Sequence, residues 1–235
     1  MSPWCLAFDL DDTLYLERDY VRSGFECVGQ WAAKWLGIPD FRDRAWRLFE
    51  QGHRGDIFDC VMRQAGSDPR HALIEHLVWL YRTHVPAITL LPDAAEFLET
   101  LDGSTGAAVI TDGPMTSQSL KVEALGLDRI ATPVVLTDRW GAEFAKPHVR
   151  AFEHVQEFWR DRAAKFVYVG DNPVKDFTGP KALGWTTVRV RRPGGIHCAV
   201  ENLETCRPDF DVSDMLALPA ILGLQQRGCA RVGVT

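Results

Sequence analysis

The sequence predicts an α/β protein whose parallel sheet is interrupted near its start by an all-helical insertion. From about residue 90 onward, short apolar runs of strand length alternate with patterns of helical spacing, which is typical of a parallel sheet. Between residues 17 and 88, apolar residues instead recur at three- and four-residue spacing, which indicates amphipathic helices. The simplest architecture is one α/β core that is split after its first strand.

The first strand is predicted at Trp4–Phe8, an apolar run that stops abruptly in acidic residues. Its length and its end suit a buried parallel strand whose carboxyl end opens onto a site. Later apolar runs predict strands at residues 107–110, 134–136, 166–169 and 187–190 and near Phe210. Helices are predicted at residues 92–101, 115–125, 149–159, 173–183 and 214–224. We therefore expect a Rossmann-like parallel sheet core with helices on both faces.

The insertion is predicted to contain four helices. Their apolar positions are Val21, Phe25, Val28, Ala32 and Trp35, then Ala45, Leu48 and Phe49, then Ile57, Phe58, Val61 and Met62, and finally Leu73, Leu77, Val78 and Tyr81. The predicted boundaries are residues 1–16 and 89–225 for the α/β core and 17–88 for the helical insertion. Residues 226–235, with two glycines, are predicted to be a flexible tail.

Charge limits the classes of partner. The chain has 235 residues, a formal net charge of -6 and a sequence pI near 5.6. This acidic balance argues against broad electrostatic binding to a nucleic acid polymer or to an anionic membrane. A small anionic substrate remains compatible with it, because a few local cations or a metal ion can bind such a molecule.

The sequence favours a cytoplasmic location. No stretch approaches the ~20 apolar residues that a membrane span needs, and the N-terminus lacks the pattern of a secretion signal. Six cysteines are scattered along the chain, without the spacing of a zinc site, as expected in a reducing compartment. The sequence does not indicate the oligomeric state.

Polar residues follow three of the predicted strands, and a lysine lies beyond another. Open parallel sheets bind ligands at the carboxyl ends of their strands, so we expect these side chains to converge on one edge of the sheet. The residues are Asp9, Asp11, Asp12, Thr111, Asp112, Lys146, Asp171 and Asp176.

Each residue type in this set suits phosphoryl transfer. Grouped carboxylates bind Mg²⁺, which takes one or two of them together with water and phosphate oxygens. One carboxylate can attack phosphorus, and a second can protonate the leaving oxygen and then activate water. A hydroxyl and a lysine can balance the charge on the phosphoryl oxygens. A solvated acidic loop is the alternative interpretation, but carboxylates crowded at the end of a buried strand repel one another unless a cation is present.

These motifs together resemble the haloacid dehalogenase-like (HAD) superfamily. Residues 8–14 (FDLDDTL) match its first motif and Thr111 its second. Lys146 matches the third, and Gly170 and Asp171 with the later Asp176 match the fourth. The four motifs occur in order and span nearly the whole predicted core, and the helical insertion resembles the cap domain that the family places there.

The resemblance implies a role for each matching residue. Asp9 would be the nucleophile and a Mg²⁺ ligand, and Asp11 the general acid and base, with its backbone carbonyl also at the metal. Thr111 and Lys146 would bind the substrate phosphate. Asp171 would bind Mg²⁺ directly, and Asp176 would bind it through water or orient Lys146.

Two neighbouring carboxylates, Asp12 and Asp112, are further candidates for the phosphate site. Asp112 departs from the family pattern, since relatives often have asparagine at this position, and the departure puts any side-chain contact of residue 112 with the phosphate in doubt. In the insertion, Arg54 and His53 lie between two predicted helices. They would reach the leaving group of the substrate or form a polar loop in solvent, and the sequence favours neither interpretation.

The resemblance implies a Mg²⁺-dependent phosphomonoesterase that acts through an aspartyl-phosphate on a small phosphorylated metabolite, such as a sugar phosphate, a nucleotide or a phosphoglycolate-like acid. A phosphomutase would share every core residue and stays an alternative. A non-catalytic phosphate-binding protein is a further alternative, although such a protein is expected to have lost Asp9 or Asp11. A dehalogenase is disfavoured, because relatives that displace halide lack the general acid at the position of Asp11.

Overall fold

The structure, a computed structural model, describes residues 4–101, 105–201 and 204–224. The chain forms two compact units. The first comprises Met1–Leu16, Leu90–Asp112 and Gly126–Thr235 and contains the sheet, and the second comprises Glu17–Thr89 and Gly113–Leu125 and is helical. We call them the sheet unit and the helical unit. The tail predicted at residues 226–235 lies outside the described residues.

The sheet of the described residues has six parallel strands in the order β3-β2-β1-β4-β5-β6, which is the order of a doubly wound Rossmann-type sheet. The strands are β1 (Trp4–Phe8), β2 (Gly106–Thr111), β3 (Val134–Leu136), β4 (Lys165–Gly170), β5 (Thr186–Val190) and β6 (Phe210–Val212). The predicted α/β fold is confirmed. The bounded strand predictions agree with the observed ends to within one residue, because buried parallel strands are short apolar runs that are easily recognised.

The helices agree with the predicted alternation of elements. In chain order they are α1 (Glu17–Leu36), α2 (Phe41–Glu50), α3 (Ile57–Gln64), α4 (His71–Thr83), α5 (Pro92–Thr100), α6 (Met115–Ala124), α7 (Arg150–Trp159), α8 (Thr178–Ala182) and α9 (Leu218–Leu222). Among the described residues, no helix combines the length and the apolar character that a membrane crossing requires.

Helices of the sheet unit cover both faces of the sheet. Side chains alternate along a strand, so β1 directs Ala7 to one face and Phe8 to the other. Ala7 belongs to a buried cluster that includes Phe152 of α7. The ring of Phe8 packs edge-on against Phe97 of α5, with 6.2 Å between the ring centroids. All four side chains are fully buried, so the sheet lies between two apolar layers.

The helix predicted at residues 173–183 is shorter than expected, since the observed α-helix covers only Thr178–Ala182. A turn that is held by side chains precedes it. Asp176 Oδ2 accepts the N–H of Asn172 at 2.8 Å, and Asn172 Oδ1 accepts the N–H of Val174 at 2.9 Å. Side chains that accept hydrogen bonds from backbone N–H groups stabilise a turn in place of a helix. The α-helix therefore begins later in the chain than predicted.

The helix predicted at residues 214–224 is also only partly correct. A 3₁₀ turn at Met215–Ala217 comes first, capped by Asp214 Oδ1, which accepts the N–H of Leu216 at 2.6 Å. The α-helix then covers only Leu218–Leu222. It ends at Gly223, whose φ of 64° is left-handed and favours glycine.

The helical unit has its own core, built largely from aromatic rings. Phe25 of α1 lies 6.4 Å from Phe49 of α2 and 5.9 Å from Phe58 of α3, measured between ring centroids. Tyr81 of α4 lies 5.8 Å from the same Phe25 ring. One aromatic side chain from each of four helices therefore meets at one point, and such pairs add stability beyond the area they bury.

Helix α6 packs within the helical unit, whereas the sequence boundaries assigned residues 113–125 to the core. The ammonium of Lys121 lies 4.2 Å from the ring centroid of Tyr20, and Ser117 Oγ donates to the carbonyl of Arg82 at 3.3 Å. Lys121 and Ser117 are both buried. These polar contacts involve residues that the hydrophobic pattern does not mark, so sequence periodicity could not place α6 there.

His84, which follows α4, is expected to make the stability of the helical unit depend on pH. It is buried, with Nδ1 2.6 Å from the carbonyl oxygen of Tyr81 and its ring 4.8 Å from that of Tyr20. Burial lowers the pKa of His84, and the charge of Lys121 acts in the same direction. The unfolded chain therefore binds the proton more readily than the folded one. The stabilisation is complete above about pH 6.5, the ordinary histidine value, and is lost as the pH falls through the lower pKa of the folded state.

Urea denaturation of the wild type and of His84→Asn at pH 8 and pH 5 measures this effect. The asparagine amide can still donate to the Tyr81 carbonyl but does not titrate. The urea concentration at the midpoint of unfolding should therefore change less between the two pH values in the variant than in the wild type. His71→Asn serves as the control, because the side chain of His71 is 89% exposed. An unchanged pH dependence in His84→Asn would show that other groups cause it.

Candidate active site

The carboxyl ends of β1, β2 and β4 meet where the strand order reverses. β1 lies inside the sheet and pairs with β2 on one side and β4 on the other. Asp9 follows β1 directly, Thr111 ends β2, and Asp171 follows β4. The N–H of Asp9 donates to the carbonyl of Val169 at 2.8 Å, which continues the pairing one residue beyond β1. Doubly wound sheets bind their ligands at such a point.

A buried lysine joins two of the aspartates. Lys146 Nζ lies 2.5 Å from Asp9 Oδ1 and 2.9 Å from Asp176 Oδ1. It also donates to the hydroxyl oxygen of the buried Tyr168 at 2.8 Å. Burial alone would lower the pKa of Lys146, but the charges of Asp176 and Asp9 hold it well above its usual value. The lysine is therefore a fixed positive charge beside the carboxylate of Asp9.

Three carboxylates form a cluster that fits a divalent cation. Asp9, Asp171 and Asp176 offer oxygen atoms within 4.8 Å of one another. Asp171 Oδ2 is buried and has no hydrogen-bond partner among the described residues. Burial and the charges of Asp9 and Asp176 raise the pKa of Asp171 to about 9, and burial raises that of Asp9 to about 6 against the opposing charge of Lys146. A hard cation would relieve this repulsion and ligate the oxygen that lacks a partner.

Asp11 lies in the turn after β1. The hydroxyl of Tyr15 donates a short hydrogen bond to Asp11 Oδ1, and the two residues also form an isolated β-bridge. Tyr15 is fully buried, whereas Asp11 is partly exposed. A carboxyl group held in one orientation, close to Asp9 in the chain and open to solvent on one side, suits proton transfer to and from a bound molecule.

The candidate phosphate-binding residues Thr111 and Asp112 occupy the end of β2. Thr111 is buried, and its carbonyl oxygen lies 3.3 Å from Thr137 Oγ1. Asp112 Oδ1 accepts the N–H of Lys146 at 3.1 Å, and Asp112 Oδ2 lies 3.2 Å from Lys175 Nζ. The carboxylate of Asp112 therefore holds neighbouring chain segments together. The phosphate contacts of both residues stay predictions.

Asp12, the remaining candidate after β1, contacts the loop that follows β5. Its φ of 53° is left-handed, a conformation that aspartate tolerates better than most residues. Asp12 Oδ2 accepts the N–H of Ile196 at 2.7 Å. The buried Arg192 donates to the carbonyl of Thr13 from Nε at 2.9 Å and from Nη2 at 2.8 Å. The loop after β5 thus holds the acidic turn after β1 in place through hydrogen bonds. A phosphate contact of Asp12 stays a prediction.

In the helical unit, His53 and Arg54 make local contacts. The guanidinium of Arg54 donates from Nη1 to the carbonyls of Phe49 at 2.9 Å and His53 at 2.7 Å, and it lies 4.1 Å from the centroid of the Phe49 ring. His53 Nδ1 lies 3.6 Å from Asp56 Oδ1. These contacts order the loop between α2 and α3, and the role of either residue in substrate recognition stays a prediction.

Sequence reasoning missed Tyr15, Tyr168 and Arg192. A tyrosine in a buried segment needs a hydrogen-bond partner for its hydroxyl, and this signal could have found the two tyrosines. Tyr168 lies in β4 among apolar residues, two positions before the glycine of the fourth motif. Arg192 resembles any arginine that follows a strand, and only the tertiary fold brings it to the carbonyl of Thr13.

Comparison with known proteins assigns the family. The model of the haloacid dehalogenase-like hydrolases matches residues 5–184. The chain belongs to this family. A glyceraldehyde 3-phosphate phosphatase of Methanopyrus kandleri is 30% identical over 217 residues, which cover 88% of this chain and 91% of the relative. A protein of the same name from Methanocaldococcus jannaschii is 27% identical over 194 residues, or 79% and 83% of the two chains.

Solved structures show the same HAD fold. The HAD hydrolase YfnB of Bacillus subtilis, whose structure contains magnesium, is similar with a TM-score of 0.67 and 19% identity, covering 94% of this chain and 99% of that one. The resemblance that the four motifs predict is confirmed. The protein is an enzyme, a hydrolase of the HAD family, and the curated relatives named above are phosphatases.

In this HAD hydrolase, the glycine that ends β4 allows Asp176 to approach the site. A Cβ at position 170 would lie 2.5 Å from Asp176 Oδ2 and 2.8 Å from its Cγ. We expect Gly170→Ala to displace Asp176 and, through it, Lys146. Misplacement of a catalytic constellation by about 1 Å costs on the order of a hundredfold in rate, and we expect a loss of kcat of that order.

Steady-state kinetics of Gly170→Ala, Asp176→Ala and the double variant test this effect. If the added methyl group acts only through Asp176, the double variant should be no slower than Asp176→Ala alone. Multiplicative losses in the double variant would place the effect of the methyl group elsewhere.

Proposed function

We propose that this HAD hydrolase is a Mg²⁺-dependent phosphomonoesterase that acts on a small phosphorylated sugar through an aspartyl-phosphate on Asp9. One observation carries the proposal. The carboxylate of Asp9 is buried at the switch point of the sheet, with Lys146 Nζ 2.5 Å away and the carboxylates of Asp171 and Asp176 beside it. A carboxylate that is held next to a fixed cation, in a cluster suited to a metal, is arranged to attack an anionic phosphoryl group.

Asp9, Asp171 and the backbone carbonyl of Asp11 would hold Mg²⁺, and Asp176, the third carboxylate of the cluster, would bind it through water or orient Lys146. When bound, the ion would supply positive charge that offsets the repulsion between an anionic nucleophile and an anionic substrate. The buried carboxylate oxygen of Asp171 that has no hydrogen-bond partner among the described residues supports this assignment.

The residues of the chain perform the chemical steps. An oxygen of Asp9 attacks phosphorus, the bond to the ester oxygen breaks, and Asp11 gives that oxygen its proton. Asp11 then accepts a proton from a water molecule, which attacks phosphorus and breaks the bond to Asp9, so that inorganic phosphate leaves and both carboxyl groups return to their starting state. Lys146 and Thr111 bind the phosphoryl oxygens during both steps.

The relatives support the substrate class. Both curated relatives are named glyceraldehyde 3-phosphate phosphatase and match most of this chain. A phosphorylated sugar of a few carbon atoms is therefore the class that we propose. The acidic net charge is compatible with such a ligand and unfavourable for a polyanionic one.

The proposal is tested with purified protein and a panel of phosphate monoesters. The panel contains glyceraldehyde 3-phosphate, larger sugar phosphates, nucleotides, phosphoglycolate and p-nitrophenyl phosphate, each with Mg²⁺ or with EDTA. We expect phosphate release that requires Mg²⁺ and is fastest with the small sugar phosphates. Release that persists in EDTA would contradict the metal requirement, and a preference for nucleotides would contradict the substrate class. An isomeric sugar phosphate in place of inorganic phosphate would identify a mutase.

A further inference from the structure

Asp112 uses its two carboxylate oxygens for different contacts. Oδ1 accepts hydrogen bonds from Thr137 Oγ1 at 2.8 Å and from the backbone N–H of Lys146 at 3.1 Å. Oδ2 forms an ion pair with Lys175 Nζ at 3.2 Å. The side chain of Asp112 is 14% exposed and that of Lys175 is 32% exposed, so the pair is only partly screened by water. One carboxylate thus links the segments that follow β2, β3 and β4.

The contact with the N–H of Lys146 matters because this lysine lies in no helix or strand. It comes between a 3₁₀ turn at Ala142–Phe144 and the start of α7 at Arg150. Asp112 therefore sets where the backbone of Lys146 lies relative to β2. From that position the lysine side chain extends to Asp9, with 2.5 Å between Nζ and Oδ1.

The charge on Asp112 is matched by Lys175. Burial alone would raise the pKa of Asp112, but the charges of Lys146 and Lys175 hold it below its usual value. An asparagine at this position could accept the same two hydrogen bonds through its carbonyl oxygen. Its amide group would then face the ammonium of Lys175, donor against donor. Aspartate at position 112 is therefore a better partner for Lys175 than asparagine would be.

We propose that Asp112 and Lys175 form a positioning pair for Lys146, in which Asp112 holds the lysine backbone and Lys175 balances the charge of Asp112. The inference rests on the proposed function in so far as Lys146 serves catalysis. It gives Asp112 a different role from a direct phosphate contact, and it adds Lys175 to the residues on which the reaction depends.

A double-mutant cycle tests the pair. Asp112→Asn removes the ion-pair partner of Lys175, and Lys175→Met removes the ion-pair partner of Asp112. We expect each single variant to lose about ten- to a hundredfold in kcat with less change in KM. The double variant keeps both hydrogen bonds to residue 112 and removes both charges, so it should recover to within a few fold of the wild type.

Lys181→Met is the matched control. Lys181 pairs with Asp209 at 3.0 Å, and its side chain is 35% exposed, close to the value for Lys175, but it makes no contact with the site residues among those described. We expect this variant to keep the kcat of the wild type. Equal losses in Lys181→Met and Lys175→Met, or multiplicative losses in the double variant, would overturn the positioning pair.

Amide hydrogen exchange gives a readout that does not depend on turnover. In Asp112→Ala the N–H of Lys146 loses its acceptor, so its exchange should speed up, whereas Asp112→Asn should keep it protected. If the wild type hydrolysed no phosphate ester but showed this pattern, the proposed function would fail and the positioning contact would stand. Unchanged protection of Lys146 in Asp112→Ala would overturn the contact itself.

Discussion

Asp9→Asn is expected to abolish phosphate release, with kcat reduced by roughly 10⁴-fold or more. The amide nitrogen and oxygen of asparagine cannot form the acyl phosphate that a carboxylate forms, although the side chain has nearly the same shape. The change therefore removes the nucleophile without opening a cavity. Phosphate release in Mg²⁺ measures the effect, and Asp161→Asn is the control, because the side chain of Asp161 is 86% exposed.

The same variant should not be less stable than the wild type in EDTA. Asp9 is buried next to Asp171 and Asp176, and removing one of three clustered carboxylates relieves repulsion. Lys146 keeps its contacts with Asp176 and with the hydroxyl of Tyr168. We expect a Tm equal to or above that of the wild type. If the variant retained most of the activity, the covalent mechanism would be wrong, and a much lower Tm would show instead that the carboxylate is needed for folding.

Lys146→Met is expected to lose both activity and stability. The side chain of Lys146 is fully buried and neutralises two buried carboxylates, so the apolar replacement leaves both without their cation. Breaking a buried ion pair by removing one partner typically costs about 3–5 kcal/mol of unfolding free energy. We expect a loss of this size, together with a fall in kcat of about a thousandfold, because the nucleophile and the phosphoryl oxygens lose a fixed positive charge.

Urea denaturation in EDTA and steady-state kinetics in Mg²⁺ measure the two losses for Lys146→Met. Lys165→Met is the control, since Lys165 is an exposed residue at the start of β4. Lys146 Nζ and Asp9 Oδ1 lie 2.5 Å apart. We nevertheless expect Lys146→Met and Asp9→Asn to differ, since both should lose activity but only Lys146→Met should lose stability. A Lys146→Met protein as stable as the wild type would mean that the carboxylates take up protons at little cost in free energy.

The sequence predicts the elements that carry a clear hydrophobic pattern. β1 and β4 are recognised from their apolar runs, and Asp9 and Asp171 are recognised because they directly follow the ends of these strands. The sequence-based prediction fails where backbone N–H groups donate to side chains instead of to backbone carbonyls. In the segment before α8, Asn172 and Asp176 bond to backbone N–H groups, and no periodic pattern reports such bonds.

Contacts between segments that are distant in the chain are the part of the site that could not be predicted from the sequence. The spacing of the motifs brings Asp9, Lys146 and Asp171 to one edge of the sheet, but it does not reveal that Tyr168 completes the contacts of Lys146. Nor does it pair Asp112 with Lys175, which lies 63 positions later in the chain. Both contacts depend on how neighbouring strands are registered, which a single sequence leaves open.

The strand order has a consequence for how the protein assembles during synthesis. β1 is made first, but its partners in the sheet come much later, since Leu6 pairs with Ala107 and Ala7 pairs with Tyr168. At a translation rate of about 5–20 residues per second, the first strand waits for many seconds before either neighbour exists. Through that interval the apolar segment has unpaired edges, which can pair with other chains, and contacts of such long range also favour slow folding. Asp9, the proposed nucleophile, therefore follows a strand whose pairing is completed only when β4 (Lys165–Gly170) has been made.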